Sequence, residues 1–260
     1  MPEGDVLRRT AARLDLALVG SPLTLSDLRW PTAATVDLVG RTVLGTRPYG
    51  KHLLTRFDDG RTLHTHLRMD GYWRVHPTGP SGSRDRSPQV RAVLATSRWT
   101  AVGHLLGMLD VVATRDEGTL VGHLGPDLLD DPFDAAEALA RWVARGATPA
   151  AEVLLDQTVV AGIGTIFMAE SLFAERLWPW LPADQVPDPG RLLQVARRLM
   201  QRSVLSGRPP GRVHGRVRQP CPRCGTPVAR GEARQPPMQR PVFYCPRCQP
   251  APARTAAPPR

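Results

Sequence analysis

Cys221-Pro222-Arg223-Cys224 and Cys245-Pro246-Arg247-Cys248 bracket residues 221–248, and they contain all four cysteines of the chain. Each CxxC turn brings two thiolates to one side of a tight loop, and two such turns across a spacer of twenty residues supply the four sulfurs of a tetrahedral zinc site. Disulfide pairing is the poorer reading, since the sequence shows no secretory leader. With every position filled by sulfur, no open coordination site remains for a substrate, so the expected cofactor is one structural Zn2+ held by Cys221, Cys224, Cys245 and Cys248. Residues 220–250 therefore read as a four-cysteine zinc finger whose hairpin carries Arg230, Arg234 and Arg240. The Pro/Ala-rich residues 251–260 read as a disordered tail.

Upstream of the ribbon, residues 133–219 have helical apolar period. Ala135–Arg145 runs to Gly146. Thr148-Pro149 is a cap followed by a first-turn proline for a helix to about Gln157. Val160-Ala161-Gly162-Ile163-Gly164-Thr165 is a glycine-bearing turn, with Thr165 as cap of a helix from Ile166. A last helix spans Arg191–Leu205. Two glycines ahead of a helix N-terminus allow close approach of a phosphate, and a helix-turn-helix packing corner fits the same residues.

Residues 118–132, rich in Gly, Pro and Asp, form the expected linker, and residues 1–117 the other domain. Behind a first helix with Leu7, Ala11, Leu14 and Leu18 on one face, seven short strands are expected: Thr42–Leu44, Lys51–Phe57, Arg61–Leu67, Tyr72–Val75, Arg91–Thr96, Trp99–Val102 and Leu109–Val112. Asp58-Asp59-Gly60 is a hairpin turn and Thr78–Pro88 a surface loop. Strands at this spacing predict a β-sandwich or barrel.

The chain starts Met1-Pro2-Glu3-Gly4. Removal of Met1 before a small residue leaves Pro2 as a terminal secondary amine. An α-amino group titrates near 8, against about 10.4 for Lys, so it is nucleophilic at neutral pH, and the helix behind it further disfavours its charged form. Glu3 adds a carboxylate one residue away, an acid beside an imine-forming amine. The alternative is an ordinary start with an acid in the first helical turn.

Charge narrows the choice of partner. The formal net charge is +10 and the pI about 10.7. Leu205–Arg260 holds eleven Arg against one acid, Glu232. This is the footprint of a polyanion-binding surface, or of an Arg-rich tail in an Arg-rich coding background. Against that usage Lys51 is the single lysine, in Tyr49-Gly50-Lys51-His52, either a site that needs a compact ammonium where a planar guanidinium would differ or a chance survivor. No apolar run reaches membrane-spanning length, and the chain reads as a cytoplasmic monomer.

Four separated motifs then combine: Met1-Pro2-Glu3-Gly4; Gly50-Lys51-His52-Leu53; Asp156-Gln157 through Gly162-Ile163-Gly164 to Glu170; and the ribbon with Arg240 five residues before Cys245. In this order they resemble the formamidopyrimidine-DNA glycosylase and endonuclease VIII family over about residues 1–249. The resemblance implies a multidomain α+β chain: an N-terminal β-sandwich with flanking helices, a helix-two-turn-helix domain and a zinc ribbon. It implies a bifunctional glycosylase and abasic-site lyase of base excision repair, in which Pro2 attacks C1′ of the damaged nucleotide, Glu3 is the general acid and base, and β,δ-elimination follows. Lys51 and Arg240 would grip phosphates, with Gly164, Thr165 and Arg216 as further DNA contacts. The partner would be double-stranded DNA with oxidised or abasic sites, with single-stranded DNA as a second form.

Base removal requires extrusion from the stack. Leu67-Arg68-Met69-Asp70-Gly71 occupies the place of the family's void-filling loop, making Met69 the wedge; a core gap-filler is the competing role. Thr165 stands where the family usually has Asn, and Val6, beside Asp5, where it usually has a second Glu. The short Ser206–Gln219 segment leaves little room for the base-covering loop of 8-oxoguanine enzymes, so the resemblance favours the actinobacterial endonuclease VIII branch and oxidised pyrimidines, with 8-oxoguanine specificity as the alternative. A weakened relative that only binds lesions, and a zinc-ribbon DNA-binding regulator, are the competing classes; neither needs a free terminal amine.

Overall fold

The computed structural model describes residues 2–79, 87–235 and 237–252, so residues 80–86 of the expected surface loop and 253–260 of the expected tail lie outside them. The chain divides into two units, Met1–His123 and Leu124–Arg260. Among the described residues no helix is long and apolar enough to cross a membrane.

The first unit begins with α1 (Gly4–Leu18), whose Leu7, Ala11, Leu14 and Leu18 are buried as the apolar period requires. Among the described residues eight strands follow: β1 (Leu25–Leu28), β2 (Val43–Tyr49), β3 (His52–Phe57), β4 (Arg61–His66), β5 (Tyr72–Pro77), β6 (Val90–Ala95), β7 (Trp99–His104) and β8 (Met108–Ala113). They form two four-stranded antiparallel sheets, in the orders β1-β6-β7-β5 and β2-β3-β4-β8. Leu53, Phe57, Leu63 and Leu109 bury one face of the second sheet in a core shared with α1, Trp73 and Leu94. The sequence reading missed β1, because Leu-Ser-Asp-Leu lacks β-branched and aromatic residues; pairing with β6 supplies what propensity does not. It also ended β2 at Leu44, whereas the strand continues through Pro48, which an edge strand tolerates.

The first unit ends with α2 (Gly118–Val121), and the second contains α3 (Ala135–Val143), α4 (Ala150–Leu155), α5 (Thr165–Ala174) and α6 (Pro189–Ser206). Asp134 caps α3 by accepting from Glu137 N, and Asp188 caps α6 by accepting from Arg191 N; each such cap contributes about 1 kcal/mol. Two expected caps are corrected. Pro149, without a side-chain cap, takes the cap position of α4 that had been given to Thr148. Gly164, with extended φ of −129° and ψ of −160°, caps α5, so Thr165 is the first helical residue instead of the cap. A hairpin of β9 (Ala229–Ala233) and β10 (Arg240–Tyr244) completes the unit, with Arg240 opposite Ala233. Cys221, Val228, Ala233, Val242 and Cys245 join Trp142, Phe167, Met168 and Met200 in one core, so the ribbon and the helices bury a common apolar interior.

Candidate active site and metal centre

Pro2 lies directly ahead of α1 and is part-exposed, while Glu3 is only 1% exposed. Glu3 is the N-cap of α1 in extended conformation, and its carbonyl accepts from Val6 N at 2.9 Å. A fifteen-residue helix thus begins at the pair, with the positive end of its dipole toward them. Asp5 is buried and receives Arg9 at 3.2 Å.

Lys51 occupies the tip of the β2–β3 hairpin, where Gly50 and Lys51 form a two-residue connection between the paired Tyr49 and His52. Gly50 adopts φ +57°, a conformation costly for any residue with a Cβ. Behind Lys51 the β2-β3-β4-β8 sheet presents a polar row that the sequence reading overlooked. His52 Nδ1 lies 2.8 Å from His64 Nε2, and His64 Nδ1 lies 3.2 Å from Asp110 Oδ2. His66 packs edge-on against His52 with ring centroids 4.8 Å apart. Burial, then the neighbouring His66, His64, His123 and Lys51, brings the His52 imidazole down to about 3. Burial, then Arg68, His64 and Lys51, brings His66 to about 4. For His64 burial outweighs the opposing pull of Asp110. The signal was present in the sequence as His64 and His66 at strand period, with His52 one turn away.

Further along the row Arg56 makes a two-pronged pair with Glu117, Nε to Oε1 at 2.8 Å and Nη2 to Oε2 at 2.6 Å, and Thr62 donates to Glu117 Oε1 at 2.6 Å. Met69 is 61% exposed, which removes the core gap-filler reading. Its loop is pinned by Gly71, where a Cβ would meet Leu67 O at 2.4 Å and Leu105 O at 2.8 Å, so the β4–β5 and β7–β8 connections touch. Leu105 is itself exposed and has φ +48°.

In the second unit the turn at 157–164 is held by one side chain. Gln157 donates to Leu155 O and Ile163 O at 3.1 and 2.9 Å and accepts from Gly162 N at 3.0 Å. This fixes Gly164 and Thr165 at the start of α5. Glu170, buried on α5, accepts the backbone N–H groups of Arg212, Val213 and His214 at 3.1, 2.9 and 2.8 Å. It thereby shapes the segment leading to Arg216, whose Nε donates to Gln219 Oε1 at 3.0 Å. Arg240 opens β10 and donates to Gln239 O at 2.9 Å. The ribbon hairpin is tied to α4 by Arg234, whose N donates to Glu152 Oε1 at 3.1 Å.

The four cysteine sulfurs lie within 4.8 Å of one another, with separations of 3.9 Å for Cys221–Cys248 and 3.5 Å for both Cys224–Cys245 and Cys224–Cys248. Tetrahedral Zn–S bonds of about 2.3 Å require sulfurs about 3.8 Å apart, so these residues fit the ion. Backbone N–H groups of Arg223 and Cys248 point at Cys221 and Cys245 sulfurs at 3.4 Å. Hydrogen bonds from Thr226 bring Cys224 down to about 6, whereas burial and the adjoining sulfurs push Cys248 up to about 12.

The expected residues therefore fall into two groups: Pro2, Glu3, Lys51 and Met69 in the first unit, and Gly164, Thr165, Arg216, Arg240 and the four cysteines in the second. The formamidopyrimidine-DNA glycosylase N-terminal domain matches residues 1–106, and the H2TH domain of the same family matches residues 124–209. The chain is 43% identical to a probable endonuclease 8 2 of Streptomyces coelicolor, over 97% of this chain and 95% of that protein. It is 36% identical to the DNA-(apurinic or apyrimidinic site) lyase Nei2 of Mycolicibacterium smegmatis, over 96% and 100%. The structure of MutM (Fpg) from Thermus thermophilus superposes with a TM-score of 0.77 at 28% identity, covering 95% of this chain and 98% of that one. Lactococcus lactis formamidopyrimidine-DNA glycosylase, solved with DNA containing an abasic site, shares the fold with a TM-score of 0.81 at 22% identity, over 96% and 100%. A matched start, a matched helical domain and a four-sulfur ribbon in one chain leave a single assignment: it belongs to the formamidopyrimidine-DNA glycosylase family and resembles the actinobacterial endonuclease 8 proteins within it.

Proposed function

We propose that this protein is a bifunctional DNA glycosylase and abasic-site lyase that removes oxidised pyrimidines from DNA. The observation that carries the reading is Glu3, buried at the cap of α1 immediately behind Pro2, in a chain aligned along nearly its whole length with endonuclease 8 proteins. Once Met1 is gone, the Pro2 nitrogen attacks C1′ of the damaged nucleotide and the base departs with a proton. The attack opens the sugar, and Glu3 passes the protons between ring oxygen, base and water. The resulting iminium acidifies the C2′ proton; its removal expels the 3′ phosphate, and a second elimination expels the 5′ phosphate. Water then hydrolyses the imine and frees Pro2.

Lys51 at its hairpin tip and Arg240 at the start of β10 serve as phosphate grips, joined by Gly164, Thr165 and Arg216, and Met69 fills the space left by the extruded base. The Zn2+ held by the four cysteines supplies folding energy to the ribbon and no step of the reaction. The pyrimidine preference rests on the short Ser206–Gln219 segment, which leaves little room for a base-covering loop.

Borohydride trapping tests the proposal. A duplex with an abasic site or 5-hydroxyuracil should become covalently attached to the protein, and a form with extra residues ahead of Pro2 should not. Failure to trap with the processed chain overturns the reading. Excision from a panel of oxidised bases tests the finer preference, which falls if 8-oxoguanine is released faster than the pyrimidines.

A further inference from the structure

His64 and Asp110 have no part in the reaction above, yet they join His52, beside Lys51, in a hydrogen-bond chain with one possible direction. His52 and His66 face each other across β3 and β4, as His64 and Asp110 do across β4 and β8, so all four side chains lie on one face of the sheet. A carboxylate only accepts, so Asp110 requires the proton on His64 Nδ1 at 3.2 Å. Neutral His64 then has only a lone pair at Nε2, which takes the Nδ1–H of His52 at 2.8 Å. The second ring nitrogen of His52, Nε2, is left with a lone pair. His66 is set the other way: its Nδ1 accepts the backbone N–H of Arg68 at 2.9 Å, which places its own proton on Nε2.

We infer that Asp110, His64 and His52 form a proton-gated phosphate clamp: when a DNA phosphodiester settles against Lys51, His52 takes a proton from solvent at Nε2 and donates it to the phosphate, while His64 and Asp110 hold the ring and balance its charge. The inference rests on the DNA-repair reading above. A lone pair pointed at a phosphate oxygen repels it, so a neutral His52 is a poor neighbour for a bound strand; a protonated one is a second cation beside Lys51. The groups around His52 set the balance. Lys51 in the hairpin tip, His66 and His64 on β4 and His123 near the end of the unit oppose added charge on His52, Arg68 opposes it on His66, and Asp110 on β8 favours it on His64. In the free protein burial first, and then the neighbouring histidines and Lys51, bring His52 down to about 3, so at higher pH a proton found on it in the complex is taken up on binding.

The experiment is the pH dependence of binding to a duplex carrying a tetrahydrofuran abasic analogue, which cannot be processed, between about pH 5 and 8.5 at fixed ionic strength. Binding by the wild-type protein should tighten as pH falls, most steeply at the acid end of this range and by no more than about tenfold per pH unit for one proton. Calorimetry in buffers of differing ionisation heat should count that proton directly. His52→Phe should lose this component. Asp110→Asn keeps an acceptor for His64 Nδ1–H but removes the charge, so its uptake should move to lower pH, whereas a purely structural chain would leave its profile superimposed on the wild type. A wild-type complex formed without proton uptake, or identical pH profiles for wild type and Asp110→Asn, overturns the clamp while leaving the repair function standing. Absence of binding to lesion-containing DNA overturns both.

Discussion

The two units bury polar groups to opposite ends. In the second, Glu170 is saturated by three backbone N–H groups, Gln157 closes a turn with three hydrogen bonds, and four sulfurs gather in one cluster. Each of these groups has one sensible bonding state, and that state holds a loop in place. In the first unit the Pro2 amine, the Glu3 carboxylate and the histidine row are the groups that the proposed mechanism and the inferred clamp would have change protonation. The difference teaches that burial alone does not mark a catalytic residue: Glu170, with its carboxylate spent on three backbone N–H groups, is scaffold.

The strongest way to break this comparison is to change the chemistry without the scaffold. Glu3→Gln is isosteric and should lower base excision by about a hundredfold or more while leaving lesion binding intact, read by single-turnover excision beside a binding titration. Normal turnover would remove Glu3 from the mechanism. Cys245→Ser or chelation should do the reverse. Structural zinc binding in small domains is worth about 10–16 kcal/mol, and here the ribbon shares its core with the helices, so metal loss should lower the melting temperature of the second unit and abolish DNA binding together. Zinc content measured alongside thermal melts checks this; an unchanged melt would show that the ribbon folds apart from the helices.

Smaller effects sharpen the contrast. Glu170→Ala strands three backbone donors and should cost about 1–3 kcal/mol per unsatisfied group, read as a lower denaturation midpoint of the second unit. The smallest effect is in acid. Arg56, with help from Thr62, holds the Glu117 carboxyl below its ordinary 4.5. A depressed folded-state value means stability that is present above about pH 4.5 and is lost as pH falls through the folded value. The stability gap between wild type and Glu117→Gln should therefore be widest near neutrality and close below pH 4.5. A gap that is constant with pH would assign the pair's worth to packing.

Much of the architecture was legible in the residues. Leu7, Ala11, Leu14 and Leu18 announce α1 because a 3.6-residue period with an apolar face has few other uses, and paired CxxC turns announce the ribbon because thiolate chemistry admits few alternatives. The misses have physical causes. β1 is four residues of weak propensity that pair only because β6 lies alongside. Thr165 lost the cap of α5 because the extended conformation falls at Gly164, one residue earlier. The histidine row escaped notice because His52 and His64 are twelve residues apart in the chain and meet only through strand register.

The sequence by itself determined which groups are available: a proline at position 2, its neighbouring acid, one lysine, four thiols and a strongly basic second half. Those follow from covalent structure and composition, which folding does not alter. Only the tertiary structure decided which buried groups are joined, that Glu170 spends its carboxylate on residues 212–214, and that Asp110 orients His52 through His64. Such pairings depend on hydrogen-bond geometry between segments distant in the chain, and it is the packing of strands and helices that brings them within bonding distance.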